Sequence, residues 1–324
     1  MAAMGSTAGK TKTKTKAAER AGAKKAQRKE QRFRAEAAAA QRLAQATTGD
    51  VRAALRVGAG FSLSDVDPSS TPAFVGDQIV AAQVQAGLVG RIADLQERLF
   101  AESQFGGNRS LLLVVQGMDT SGKGGIMRHV VGAMDPQAIH HTAFKAPTRE
   151  EKEHPFLWRI GKALPQPGQI GVFDRSQYED VLIVRVHNLV PRSVWSSRYA
   201  EINAFEADVA KAGTTIVKVM LHLGQDEQRA RLMKRLTRPD KHWKFHPSDV
   251  DERALWDDYQ DAYQVALQEC STDVAPWYVV PANHKWYARL AVTKLLLDAL
   301  EGMDPQWPAV DYDIAEQQKR LAAT

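Results

Sequence analysis

Hydrophobic and polar positions between residues 110 and 301 form short apolar runs separated by longer helical patterns. Five runs predict β-strands, at 111–117, 139–146, 170–174, 214–223 and 277–282. The helical patterns lie at 123–134, 149–163, 177–187, 194–212, 225–238, 249–269 and 284–301. Strands that are apolar throughout and alternate with helices are typical of a buried parallel sheet built from right-handed βαβ units. The pattern therefore predicts an α/β fold with a five-stranded parallel sheet.

A helical extension is predicted before this sheet, over residues 49–108. It begins with turn signals in "DVDPSSTP" and continues as a long amphipathic stretch that "GGN" at 106–108 ends. The apolar positions recur every three or four residues, as in a helix that faces a core. They are Val84, Leu88, Ile92, Leu95 and Leu99.

Residues 1–48 differ from the rest of the chain in charge and composition. They hold twelve Lys and Arg against three Glu, whereas the whole chain has a net charge of +5, so the remainder carries −4. The segment has few large apolar residues and cannot bury a core, which predicts a basic tail that is disordered or only transiently helical. Two interpretations stay open, a tail that binds polyanions and a tail that only improves solubility.

The composition of the 324 residues is that of a soluble globular protein, with 44% hydrophobic and 25% charged residues. The single cysteine, Cys270, excludes an intramolecular disulfide and favours the reducing cytoplasm. The longest apolar runs, such as "LLLVV" at 111–115, are too short to span a bilayer. We therefore expect a cytoplasmic protein without membrane segments.

"GMDTSGKG", residues 117–124, follows the first predicted strand and opens a helix, as a phosphate-binding loop does. Backbone N–H groups, the helix N-terminus and Lys123 attract phosphate. Gly124 stands where such loops carry the Ser or Thr that binds Mg²⁺, and Asp119 stands within the loop. Asp119 could supply a metal ligand instead, or only stabilise the turn. The predicted phosphate contacts in the loop are Gly117, Met118, Thr120, Ser121, Gly122, Lys123, Gly124 and Gly125.

A second motif, "FDRSQYED", places Asp174 at the end of an apolar strand, where open α/β sheets carry ligand-binding and Mg²⁺-binding acids. Arg175 next to it could clamp a phosphate. The spacing Ser176-x-x-Glu179 fits a capping box, and we interpret Glu179 as structural. Thr148-x-x-Glu151 predicts a similar cap.

The third motif is a basic helix and loop. Between residues 229 and 244 the chain has seven Lys and Arg against one acid, Asp240, and Pro239 interrupts the helix. A basic helix is usually a solvated face. Here it follows a strand and precedes an acidic stretch, which predicts a helical lid at about 228–258 that presents cations to the loop. Lys145, after the second strand, could be a further phosphate contact or simply an exposed lysine.

The four motifs "GMDTSGKGG", "FKAPT", "FDRSQYEDVLIVRVH" and "DKHWKF" occur in an order that resembles the polyphosphate kinase 2 family, the polyphosphate:nucleotide phosphotransferases. The resemblance runs from about residue 50 to residue 310. It implies a three-layer P-loop kinase fold with a helical lid over the catalytic domain 109–324. It also implies phosphate transfer between inorganic polyphosphate and a nucleoside mono- or diphosphate, with Mg²⁺, or Mn²⁺ as an alternative. Family members are commonly dimers or tetramers.

By motif position, the resemblance gives each site residue a role. Asp119 and Asp174 match the family's metal-binding and catalytic acids, and Lys123, Arg175 and Arg235 match its catalytic cations. The remaining cations match phosphate contacts of strand two and the lid: Lys145, Arg238, Lys241 and Lys244. The continuation "YEDVLIVRV" resembles the branch that accepts AMP as well as ADP. Two departures, Arg238 before Pro239 and "FDRS" in place of "FNRS", leave the nucleotide preference open.

Two other functions remain as alternatives. An ATP-dependent nucleotide or metabolite kinase of the same fold would usually keep the missing Ser or Thr. A non-catalytic polyanion-binding protein would work through the basic tail, and nucleic acid is not expected beyond non-specific contacts of that tail.

Overall fold

The computed structural model describes residues 24, 27, 30–38, 41–42 and 45–324. The predicted disordered tail, residues 1–48, therefore lies largely outside the described residues. Its described part at 30–38 is helical, and ion pairs one turn apart join Arg34 to Glu30 (2.6 Å) and Arg32 to Glu36 (2.8 Å). Within the ranges described, no helix is both long and apolar enough to cross a membrane.

The five predicted strands form one sheet in which every neighbouring pair is parallel. Their bounds are β1 Ser110–Gln116, β2 Ile139–Ala143, β3 Ile170–Asp174, β4 Thr214–His222 and β5 Trp277–Pro281. The order across the sheet is β2-β3-β1-β4-β5, so β1 lies in the centre. β1 is buried along its whole length, because helices cover both faces of the sheet.

Helices of the described chain cover both faces of the sheet, although four of the short ones contribute no buried residue to either core. One hydrophobic core joins the sheet to the long helices before and after it, and a second core joins the other face to the helices between β3 and β5. The helices are α1 Val51–Leu55, α2 Gln78–Gln104, α3 Lys123–His129, α4 Arg149–Lys152, α5 Trp158–Lys162, α6 Ile183–Val186, α7 Arg192–Lys211, α8 Gln225–Thr237, α9 Ser248–Ala254, α10 Trp256–Glu269, α11 Lys285–Met303 and α12 Ile314–Ala322. The three-layer α/β prediction is confirmed.

The predicted extension packs into the same core as the sheet. The five apolar positions predicted on α2 are buried, and they contact α11. Two isolated bridges join the segment around α1 to the rest of the chain, Thr47 to Phe74 and Arg56 to Tyr278 on β5. The amphipathic spacing therefore located the buried face of α2 correctly.

Several predicted helices are interrupted. The stretch 149–163 divides into α4 and α5 around Pro155, because proline lacks an N–H and disfavours helix in the residue before it. The stretch 177–187 begins as a 3₁₀ helix, Gln177–Asp180, and 249–269 is divided at Leu255. Periodicity located the helical regions but missed these breaks.

The region predicted to form a lid, called the lid below, is helical and follows β4. It consists of α8, a 3₁₀ turn at Pro239–Lys244, α9 and the start of α10. The turn begins at Pro239, whose ring is compatible with the first turn of a helix. This region lies beyond the carboxyl end of β4, which is the same edge of the sheet as the loop after β1.

Candidate active site

The loop between β1 and α3 has the backbone of a tight phosphate-binding turn. Gly117 has φ 151°, and a Cβ there would lie 2.9 Å from the carbonyl oxygen of Leu221 on β4. Thr120 has φ 67°, and Gly122, which precedes α3, has φ 118°. Left-handed backbone at a non-glycine residue costs free energy and persists only where the surroundings hold it, which is common at functional sites.

The Lys123 ammonium lies across the loop rather than away from it. Its Nζ donates to the carbonyl oxygen of Gly117 at 2.7 Å. Burial lowers the pKa of Lys123, and the carboxylate of Asp119 opposes that shift. At position 124, where related loops carry a hydroxyl, a Cβ on Gly124 would meet no atom within 4 Å. Space is therefore not the reason for the missing side chain.

Asp174 lies beside the loop because β3 pairs with β1 in a register that sets Asp174 opposite Val115. The next residue, Arg175, has φ 66°, and its Nη2 lies 3.2 Å from Oδ1 of Asp119. The Arg175 guanidinium therefore joins the two motifs. Among the described residues, the Asp174 carboxylate has no hydrogen bond or ion pair of its own.

A cleft of about 490 Å³ opens at the loop and is strongly cationic. Asp119 and Asp174 are the acids among its lining residues, against ten Lys and Arg. These cations come from α3, the lid and the start of α11: Lys123, Arg128, Arg231, Lys234, Arg235, Arg238, Lys241, Lys244, Lys285 and Arg289. Such a surface has a potential suited to a polyanion.

A second cleft, of about 400 Å³, has a different lining. It combines aromatic and aliphatic side chains with charged ones of both signs, including Tyr259, Tyr263, Leu182, Arg175 and Glu179. The two clefts share three residues, Asp119, Arg235 and Lys244. A ligand in one cleft would therefore meet a ligand in the other at Asp119, under the lid.

Glu179 does not form the capping box predicted from sequence. Ser176 caps the 3₁₀ turn alone, by accepting from the N–H of Tyr178. The Glu179 carboxylate instead faces the second cleft, 4.0 Å from Arg175, and burial raises its pKa. The capping prediction for Glu179 was wrong, whereas Thr148 and Glu151 do form the predicted box.

The root of the lid is fixed to the loop by Arg231, whose side chain is 6% exposed. Its Nη1 donates to the carbonyl oxygens of Thr120 (2.9 Å) and Ser121 (3.1 Å). Its Nη2 donates to those of Ala282 (2.7 Å) and Asn283 (2.9 Å), after β5. One guanidinium thus joins α8, the phosphate-binding loop and the end of β5.

Further along the lid, the cations are held by acids of the lid itself. Arg235 donates to Asp249 at 3.2 Å and to the carbonyl oxygen of Lys244 at 2.9 Å. Arg238 forms two hydrogen bonds to Asp240, at 3.0 and 2.9 Å, and Lys241 lies 2.9 Å from the same carboxylate. These pairs offset part of the positive charge that the lid brings to the cleft lining.

The donor set at the cleft fits a hard divalent cation that shares its ligands with a phosphate. Across the described residues, no group of three or more His, Cys, Asp or Glu is arranged to hold a metal by itself. Mg²⁺ usually binds through one or two carboxylates and keeps oxygens of phosphate and water. Asp119 and Asp174, on adjacent strand ends, supply two such carboxylates.

Comparison with known proteins places this site in a family. Residues 78–308 match the model of the family described as polyphosphate kinase 2 (PPK2). This chain belongs to the polyphosphate kinase 2 family. The crystal structure of polyphosphate kinase 2 from Arthrobacter aurescens is similar, with a TM-score of 0.84 and 55% identity over 86% of this chain and 98% of that one.

Two curated proteins with high similarity carry more specific names. The AMP/ADP-polyphosphate phosphotransferase of Meiothermus ruber is 45% identical over 76% of this chain and 91% of its own length. The ADP-polyphosphate phosphotransferase of Rhodopseudomonas palustris is 43% identical over 68% of this chain and 79% of its own length.

The polyphosphate kinase 2 motifs assemble at one edge of the sheet, with one exception. The loop residues 117–125, the acids, Arg175 and the lid cations line one or both clefts. Lys145 is exposed after β2, outside the residues that line either cleft, and its carbonyl oxygen accepts a 2.9 Å hydrogen bond from Arg159.

Sequence reasoning also missed residues that the fold of this polyphosphate kinase 2 chain brings in. Lys285 and Arg289 lie one turn apart at the start of α11 and extend the cationic cleft. Their four-residue spacing in "NHKWYARL", directly after β5, was the available signal. A larger cavity, of about 1130 Å³, lies elsewhere, between α2, α11 and the described tail residues, and its lining holds none of the motif residues.

Proposed function

We propose that this protein transfers the terminal phosphoryl group between inorganic polyphosphate and nucleoside mono- or diphosphates, AMP and ADP first among them, in a Mg²⁺-dependent reaction. The observation that carries the proposal is the meeting of two unlike clefts at Asp119, Arg235 and Lys244. The names of the two relatives from Meiothermus ruber and Rhodopseudomonas palustris support the same chemistry.

The cationic cleft suits polyphosphate. A linear polyanion has one negative charge or more for each phosphate and no apolar part, and the cleft offers ten cations against two acids. The second cleft suits the nucleotide, because the partly exposed Tyr259 offers a face for a base, backed by the buried Tyr263 and Leu182, while Arg175 reaches the phosphates. The proposal therefore assigns one substrate to each cleft.

Asp119 and Asp174 would hold the divalent cation, Mg²⁺ or Mn²⁺. When bound, it neutralises charge on the oxygens of the reacting phosphates. This role explains an acid inside a phosphate-binding loop, because a carboxylate next to phosphate is tolerable only with a cation between them. The hydroxyl oxygens of Thr120 and Ser121, in the same loop, are buried and have no hydrogen-bond partner among the described residues.

The protein's own contribution is position and charge. Lys123 and Arg175 approach the junction of the clefts from the loop and from β3, and Arg235 approaches from the lid. Together they neutralise charge on the equatorial oxygens of the phosphoryl group that is being transferred. The attacking oxygen is already a phosphate anion, so the reaction needs no strong general base, and in-line transfer proceeds without a covalent enzyme intermediate.

We further propose that the protein works as a homo-oligomer, a dimer or tetramer, in the cytoplasm. The family relationship supports this. Several large apolar side chains of the C-terminal segment are more than half exposed, among them Trp307, Tyr312 and Ile314, and would be covered in an assembly. Light scattering at several concentrations tests the state, and a monomer at every concentration would refute it.

The deciding experiment is a product assay with polyphosphate, Mg²⁺ and one of AMP, ADP, GMP or GDP, with no nucleoside triphosphate added. Formation of the next higher nucleotide supports the proposal, and its rate with each acceptor gives the preference. Turnover only when ATP is supplied would identify an ordinary kinase instead. A variant lacking residues 1–29, which keeps Thr47 and its bridge to Phe74, should keep its turnover, whereas a polyanion-binding protein working through the tail would lose its ligand.

A further inference from the structure

A buried ion pair lies outside the residues that line either cleft. Lys218, in the middle of β4, is 0% exposed, and its Nζ lies 2.5 Å from a carboxylate oxygen of Glu206 on α7. The same Nζ donates to the carbonyl oxygen of Cys270 at 2.6 Å. Neither side chain lines a cleft, so the proposed phosphoryl transfer leaves the pair without a direct role.

The pair holds two residues of the second motif. Oε1 of Glu206 accepts from the side-chain amide of Gln177 at 2.9 Å and from the hydroxyl of Tyr178 at 2.8 Å. Lys218 donates to the same hydroxyl at 2.7 Å. The Tyr178 ring packs edge-on against Trp277, with ring centroids 4.6 Å apart. Both motif residues are therefore fixed by hydrogen bonds and by packing.

The segment that these contacts hold is the one that carries the site. Within the segment 174–180, three side chains line the clefts: Asp174, Arg175 and Glu179. Gln177 and Tyr178 are instead buried, in contact with the Lys218–Glu206 pair. Arg175 has a left-handed φ of 66°, a conformation that persists only if neighbouring contacts over-determine it. The two anchored residues come directly after this turn.

The far end of the segment is held as well. Arg198 of α7 donates to the carboxylate and to the carbonyl oxygen of Asp180, both at 3.0 Å. The left-handed turn at Arg175 thus lies between β3 on one side and anchored residues on the other. The backbone of Arg175 also donates to the carbonyl oxygen of Val115 at 3.1 Å.

We propose that Lys218 and Glu206 are positioning residues, which act through Gln177 and Tyr178 to keep the Arg175 guanidinium directed at the reacting phosphates. A buried ion pair is weak support for stability, since an apolar pair of similar volume often serves as well. The pair matters here for geometry, because its three hydrogen bonds to Gln177 and Tyr178 fix the side chains of these two residues in the interior. The inference rests on the proposed phosphotransferase function.

The test compares two buried glutamines. Gln177→Met removes the hydrogen bond to Glu206 at nearly constant volume. Gln96→Met is the matched control, since Gln96 on α2 is also fully buried and bonds the backbone of Asp135 at 2.8 and 3.0 Å, far from the site. We expect kcat to fall about 10²-fold in Gln177→Met, the size of a small misplacement of a catalytic group, with KM nearly unchanged.

A double-mutant cycle separates positioning from general damage. In an Arg175→Ala background, adding Gln177→Met should lower kcat by less than about threefold, because the group that it positions is already gone. Tyr178→Phe, which keeps the ring and loses the hydroxyl, gives the same comparison if Gln177→Met folds poorly. Equal kcat values in the Gln177→Met and Gln96→Met proteins, or full additivity with Arg175→Ala, would overturn the inference.

A second readout does not depend on catalysis. Backbone hydrogen exchange across residues 174–182 should be faster in Gln177→Met than in Gln96→Met. If the wild-type protein shows no turnover with polyphosphate and any nucleotide, the proposed function fails. The exchange comparison still decides whether the pair holds the segment, and unchanged exchange there would refute that.

Discussion

Asp119→Asn tests the chemistry of the loop most directly, because it removes one charge and little else. The side chain is 36% exposed, and its ion pair is with Arg175 at 3.2 Å. An amide oxygen can still accept that hydrogen bond, so we expect a stability change of about 0–1 kcal/mol. The cleft has two carboxylates against ten cations, and the variant loses half of its proposed metal anchors.

The expected catalytic loss is far larger. We expect kcat to fall about 10³-fold or more, which is a rise of about 4 kcal/mol in the barrier at about 1.36 kcal/mol per tenfold. A change of less than about 1 kcal/mol in folding cannot produce this loss. The result would therefore separate a role in the reaction from the alternative in which Asp119 only stabilises the turn.

The assay is the initial rate of ATP formation from ADP and polyphosphate over a range of Mg²⁺ concentrations, with urea unfolding of the same preparations. Asp226→Asn is the control, since Asp226 lies in the first turn of α8, is 89% exposed and pairs with Arg229 at 2.9 Å. It should leave kcat and the Mg²⁺ dependence unchanged. A kcat for Asp119→Asn within tenfold of wild type, with the same Mg²⁺ dependence, would refute the reasoning.

Three further predictions concern the lid and the sheet. Arg231→Met leaves four backbone carbonyls without their donor. We therefore expect the free energy of unfolding, measured in urea, to fall by about 3–5 kcal/mol. A loss below about 1 kcal/mol would contradict the anchoring role of Arg231. Arg235→Ala should lower kcat about 10²–10³-fold, because Arg235 lies at the junction of the two clefts. The control Arg229→Ala, at a side chain that is 65% exposed, should leave kcat unchanged. Equal kcat values in the two variants would count against the lid assignment. Burial lowers the pKa of His222 below its ordinary 6.5, so the unfolded chain binds the proton more tightly and stability falls as pH drops through about 6.5. In urea unfolding between pH 5 and 8, the neutral variant His222→Gln should lack this loss of stability at low pH. If the stability of the variant and of the wild type changes with pH in parallel, His222 is not the cause of the loss.

Local patterns were enough to predict the strands and the phosphate-binding loop. A strand that is buried on both faces is apolar throughout, and β1 and β3 lie within one residue of the predicted runs. The predicted run for β2 extended to residue 146, because the sequence pattern continues past the strand. The strand itself ends at Ala143, whose pairing with Asp174 is the last between β2 and β3. Asp174 ends β3 and Asp119 lies in the loop after β1, and the carboxyl ends of parallel strands meet at one edge of the sheet.

Local patterns failed where one motif could serve two structures. Ser176-x-x-Glu179 has the spacing of a capping box, yet Arg175 adopts a left-handed conformation and the carboxylate of Glu179 faces the second cleft. No sequence rule predicts φ > 0 at an arginine, because that conformation is unfavourable for the residue itself. The contacts that hold it come from β4 and α7, on remote parts of the chain.

The sequence by itself determined the sheet and the phosphate-binding loop and placed two acids and a basic segment beside them, since each depends on residues that are close together in the chain. The tertiary structure decided which cations reach the site. Arg231 bonds Ser121 across 110 residues, Lys285 and Arg289 arrive from α11, and Lys145 stays outside. Charged residues can be counted along a sequence, but which of them line the cleft depends on packing between elements that are distant in the chain. Only the folded structure therefore decides which cations reach the site.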